Sequence, residues 1–109
     1  MKIFVFLVVL SILYSCEYKD ISANMCNLSN VSFSKQVQPI ITSRCATLQC
    51  HSPARASSLL TLHNYEEIVR DCVDVKRYIV SKKMPVGSPL SDCELKTIIK
   101  WLEQGAADN

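Results

Sequence analysis

The sequence predicts an all-α fold of short helices joined by long loops, on three observations. Near the end of the chain, apolar side chains recur at helical spacing between an N-cap and a glycine stop. Two or three shorter segments earlier carry the same period. No stretch alternates apolar and polar residues as a half-buried strand requires, and neither an internal repeat nor a low-complexity tract competes with helix.

Taken in order, the first segment of the 109-residue chain stands outside the domain. Lys2 supplies a positive start, residues 3–13 form an almost unbroken apolar run, and Ser15 precedes Cys16. A helix needs about 20 apolar residues to span a bilayer, so this shorter run reads as a secretory signal peptide over residues 1–15. Leu13-Tyr14-Ser15-Cys16 resembles a lipobox, in which Cys16 is acylated and becomes the new N-terminus. The expectation is an exported protein of the periplasm or cell envelope, held to a membrane through lipid on Cys16. Residues 16–30 are polar without a sustained period and read as a flexible tether, leaving 31–109 as the domain.

Within that domain, Val37, Ile40 and Ile41 fall at helical spacing in residues 34–44. Pro39 restricts this helix, because a proline is tolerated only in the first turn or at a kink; the helix therefore begins near Gln38 or bends there. Residues 52–58 are small and polar and make a loop. Asn64 and Glu67 form an N-cap pair for a helix through Tyr65, Ile68 and Val69. Residues 73–81 give a further turn or two, with Val75, Tyr78 and Ile79 expected inside. Ser91 and Glu94 make a capping box for the last helix, where Leu95, Ile98, Ile99 and Leu102 lie at i, i+3, i+4 and i+7 and Gly105 supplies the stop.

The loop after residue 44 carries the chemistry. In RCATLQCHS, Cys45 and Cys50 are followed at once by His51. Two thiols and an adjacent imidazole are what attaches a c-type haem: the cysteines form thioethers to the porphyrin and the histidine ligates the iron. The gap between the cysteines is four residues here, where the usual motif has two. A five-residue step turns about 500° on a regular helix and would leave the second thiol roughly 140° away from the first, so residues 46–49 must bulge.

A second segment, KKMPVGSPLS at residues 82–91, presents Met84. Pro85 pushes Met84 out of the α region, which places it on a loop from which a thioether can reach an iron. Such a sulfur ligand favours ferrous iron and raises the potential. His63, the other histidine of the chain, is the alternative sixth ligand and would give a bis-histidine haem of lower potential.

The stretch from Val31 to Asn109 resembles a small monohaem cytochrome c domain of a bacterial lipoprotein. Residues 33–41 are similar to that family's leading helix, and Met84-Pro85, Pro89-Leu90-Ser91, Trp101 and Gly105-Ala106 to its ligand loop and closing helix. The resemblance implies a cytochrome c-like fold wrapped around one covalent haem c, bound through Cys45 and Cys50. It implies His51 as proximal and Met84 as distal iron ligand, and electron transfer to a redox partner protein. It also suggests a disulfide between Cys26 and Cys93. The sequence by itself leaves Cys72 with Cys93 equally open.

Cysteine arithmetic is consistent with this. Of six cysteines, Cys16 goes to lipid and Cys45 and Cys50 to haem, leaving Cys26, Cys72 and Cys93 for at most one intrachain disulfide in an oxidising compartment. A domain this short, with Phe33, Tyr65, Tyr78 and Trp101 as its aromatics, has a thin core that a cofactor would complete. Trp101 is accordingly expected to pack near the macrocycle.

Other functions fit less well. The formal charge of +2 is small and the basic residues form no single strong patch, which argues against nucleic acid. Lys76-Arg77 and Lys82-Lys83 lie near the ligand loop, where they could attract an acidic redox partner. A zinc site using Cys45, Cys50, His51 and one further ligand is chemically reasonable. So is a colourless, exported interaction protein stapled by a Cys45–Cys50 disulfide. With Met84 on the distal side, the iron has no open position for catalysis, so a carrier and not an enzyme is expected.

Overall fold

The computed structural model describes residues 26–54 and 60–109. The signal segment, Cys16 and the tether up to residue 25 lie outside the described residues. Those that are described are helical, with no strand among them: a π turn over Phe33–Val37, then α1 (Gln38–Arg44), α2 (Tyr65–Arg70), α3 (Cys72–Val80) and α4 (Asp92–Glu103). No described helix is long and apolar enough to cross a membrane.

Pro39 explains why the first helical segment has two gauges. Its ring removes an N–H and collides with the carbonyl four residues back, so a regular α-helix cannot run through it. The chain instead winds wide before it. Val37 N–H donates to Ser32 O at 3.3 Å, a five-residue step, and Gln38 N–H donates back to Phe33 O. Regular α-helix then starts at Gln38 with proline in its first turn, where the lost donor costs nothing.

The later helices begin and end on local signals. Asn64 Oδ1 accepts from Glu67 N–H at 3.0 Å and opens α2. In α4, Ser91 Oγ accepts from Glu94 N–H at 3.2 Å while Glu94 Oε2 accepts from Ser91 N–H at 2.8 Å, a complete capping box. Its far end closes in a Schellman arrangement: Ala106 N–H reaches Trp101 O at 3.0 Å and Gly105 N–H reaches Leu102 O at 3.2 Å, with Gly105 at φ +102°. Helix α3 closes the same way, Lys83 N–H to Tyr78 O and Lys82 N–H to Ile79 O, but with Lys82 in the left-handed position at φ 59°.

Helix α4 packs against the π turn and against α3, and α2 packs on α3. Between them lies an apolar core that includes Val31, Val37, Ile41, Ile68, Ile79 and Ile98. At its centre Phe33 lies 5.2 Å from Tyr65 edge-on and 5.3 Å from Trp101, ring centre to ring centre. The polar tips of this cluster are satisfied by the tail, with Tyr65 Oη donating to Ala106 O and Trp101 Nε1 to Ala107 O.

Two expectations change here. The folded unit begins before residue 31: Cys26 is joined to Cys93 by a disulfide, Leu28 packs on the core, and Gln36 Nε2 donates to Asn27 O. The end of the presumed tether is therefore part of the domain. The buried face of α4 centres on Thr97, Ile98 and Trp101, with Leu95, Ile99 and Leu102 only half-buried, because the π turn meets the helix on the tryptophan side.

Candidate haem site

The cysteine segment leaves α1 by a bulge. Cys45 and Ala46 N–H both donate to Ile41 O at 2.8 Å, ending the helix. The chain then turns out through residues 46–49, with Leu48 79% exposed at the outside, and returns when His51 N–H donates to Cys45 O at 3.0 Å. That closure absorbs the longer gap between the cysteines. The turn is held from within by Cys50 N–H to Thr47 O at 3.0 Å.

His51 is fixed by the chain that returns to it. Its carbonyl accepts from Leu62 N–H at 3.0 Å, and its Nδ1 lies 2.6 Å from Leu60 O. A carbonyl can only accept, so Nδ1 carries a proton, and in the neutral ring Nε2 keeps the lone pair. This is the arrangement by which proteins orient a ligating imidazole and raise its basicity.

Met84 is delivered by the end of α3. Both Lys83 and Met84 N–H donate to Tyr78 O, at 3.0 and 3.2 Å, so the chain leaves the helix sharply and Met84 is presented on a loop. The loop's far end is tied to Arg44, whose Nη2 donates to Pro89 O at 2.9 Å and Ser88 O at 3.1 Å.

These two segments face one cavity of about 640 Å³. Cys45, Cys50, His51 and Met84 all line it, together with an apolar wall of Leu60, Leu62, Val75, Tyr78, Ile79 and Val86. The size is within the usual range for a small-molecule or cofactor site. Tyr78, expected inside, is instead 38% exposed, with Arg77 stacked 5.0 Å from its ring. It stands on the cavity wall at the more exposed edge of α3, whose Val75 and Ile79 reach both the cavity and the core.

Cys45 and Cys50 are free thiols not joined to each other, and Cys72 is free as well, so of the two pairings left open for Cys93 the one present is with Cys26. Burial pushes the Cys45 thiol up to about 11, in spite of the Arg44 guanidinium beside it; Cys50 is exposed. Among the described residues no three of His, Cys, Asp and Glu converge on one point. One imidazole and one thioether on a shared apolar cavity are a different donor set, suited to the two axial positions of a haem iron.

His63 is exposed and does not line the cavity; its N–H donates to Glu67 Oε2 at 2.8 Å. Trp101 also stands apart from the lining, in the aromatic cluster, where Phe33 and Tyr65 take the contact that had been expected from a porphyrin. Sequence reasoning missed Arg44, whose partners lie some 44 residues away and leave no local signature. No family model, curated protein or solved structure matches the chain.

Proposed function

We propose that this protein is a c-type cytochrome with a cytochrome c-like fold, an exported one-electron carrier anchored to a membrane through lipid on Cys16. The observation that carries the reading is the convergence of Cys45, Cys50, His51 and Met84 on one apolar cavity from segments more than thirty residues apart. A haem c held there supplies reversible exchange of one electron between ferrous and ferric iron.

The chain's own residues serve that role in distinct ways. Cys45 and Cys50 would bond the cofactor covalently and so retain it. With Nδ1 held by the Leu60 carbonyl, His51 Nε2 is the nitrogen that would ligate the iron. Met84 would supply the softer ligand from the second segment, and Leu62, Val75 and Ile79 would give the cofactor an apolar contact. A site whose residues are already held by hydrogen bonds to the backbone needs little rearrangement when its charge changes, which suits transfer to and from a redox partner better than catalysis.

Intact mass of the chain produced with haem-maturation machinery is the test. The expected mass includes one porphyrin that survives denaturation, with Cys45 and Cys50 resistant to alkylation. In Met84→Ala the covalent haem should remain while the sulfur-to-iron charge-transfer absorbance disappears. A colourless product whose two thiols alkylate freely would reject the proposal.

A further inference from the structure

The loop carrying Met84 is pinned at both ends. Its start is held by Tyr78 O. Its far end is held by one side chain from the other wall of the cavity: Arg44 Nη2 donates to Ser88 O at 3.1 Å, Ser88 Oγ at 3.3 Å and Pro89 O at 2.9 Å. Arg44 is the residue directly before Cys45 and itself lines the cavity. Its buried Nε makes no hydrogen bond and lies 3.6 Å from Glu94 Oε1, the carboxylate that caps α4. A single guanidinium therefore links the cysteine segment, the sulfur loop and the closing helix.

Charge-assisted bonds of a planar, forked donor fix geometry better than a single ammonium can. An outside base can occupy the distal position only when the sulfur has swung away, so its apparent affinity scales with the population of the displaced loop. We infer that Arg44 is a positioning residue that latches the Met84 loop to the haem-bearing segment and so sets how readily exogenous bases replace the sulfur. This rests on the reading of Met84 as distal ligand.

Imidazole titrated into the ferric, haem-loaded full chain measures the latch directly. In Arg44→Gln the imidazole Kd should fall about tenfold, the equivalent of about 1.4 kcal/mol, and the sulfur charge-transfer band should weaken. Arg44→Lys should lie between that variant and the parent, and it carries the test if the glutamine variant does not accumulate. Glu94→Gln removes the ion pair and the capping carboxylate but leaves the three bonds to Ser88 and Pro89, so it should lower the melting temperature with little change in imidazole affinity. Equal imidazole affinity in parent, Arg44→Gln and Arg44→Lys would overturn the latch while leaving the sulfur ligand standing. Equal affinity in parent and Met84→Ala, with no charge-transfer band in either, would remove the ligand itself and the latch with it.

Discussion

His51 Nδ1 and the Leu60 carbonyl lie 2.6 Å apart, across the loop that follows the cysteine segment. This contact decides which ring nitrogen is left to bind a metal. It predicts that, at a pH where the ring is neutral, imidazole nitrogen-15 spectra of the haem-free chain show His51 protonated at Nδ1. Exposed His63 has no such ring partner among the described residues and should show the ordinary preference for Nε2–H. A His51 spectrum indistinguishable from that of His63 would refute the assignment.

Trp101 should matter to the fold and not to the cofactor. It is 1% exposed, packed between Phe33 and Tyr65, and bonded to the tail through Ala107. Replacing a fully buried tryptophan with alanine costs about 3–5 kcal/mol, which in a domain of this size lowers the melting temperature on the order of 12–40 °C. The visible spectrum of the haem-loaded Trp101→Ala variant is expected to match the parent at temperatures where it remains folded. A spectral shift without loss of stability would contradict the placement of this ring.

Glu67 gives the domain an acid dependence. The His63 N–H donating to its carboxylate, with the Thr61 hydroxyl, the Asn64 N–H and Arg70 adding to the effect, holds Glu67 below the usual carboxylate range. A carboxyl depressed in the folded state stabilises that state above its unfolded pKa, and the contribution disappears as pH falls through the folded value. Urea midpoints for parent and Glu67→Gln should therefore differ at neutral pH, the parent being the more stable, and converge under acid. A gap that is constant with pH would assign the effect to something other than ionisation.

The Cys26–Cys93 disulfide closes a loop with a sequence separation of 67. Chain-entropy reasoning puts the stabilisation from a closure of that length at about 4 kcal/mol. The double variant Cys26→Ser, Cys93→Ser should lose about that much in denaturant unfolding. Its amide exchange should rise most over residues 26–30, which the bond holds against the domain.

What the sequence made legible was what depends on neighbours in the chain. Ser91 and Glu94, Asn64 and Glu67, Gly105 and the position of Pro39 each act within one or two turns, and each marks a boundary found in the structure. The bulge at residues 46–49 follows from helical geometry together with the need to turn both thiols to one side. What escaped is set by distant partners. Gln104 clamps both backbone groups of Val31, at 3.0 and 3.1 Å, and nothing near either residue announces it. Arg44 reads as an ordinary helix-ending cation, and its attachment to Ser88 and Pro89 exists only once the loops meet. Tyr78 and Trp101 were exchanged in effect: helical period identifies an apolar side chain, but whether it faces core or cavity depends on which helices cover it.

Burial of Cys45 has a bearing on the order of events in the life of the chain. A sulfur seated in the core, with its proton held to about 11, is a poor nucleophile once the domain has closed over it. A thioether at that position would form more readily on a chain still open than on the closed domain. Covalent loading of that thiol would then run ahead of the last steps of collapse.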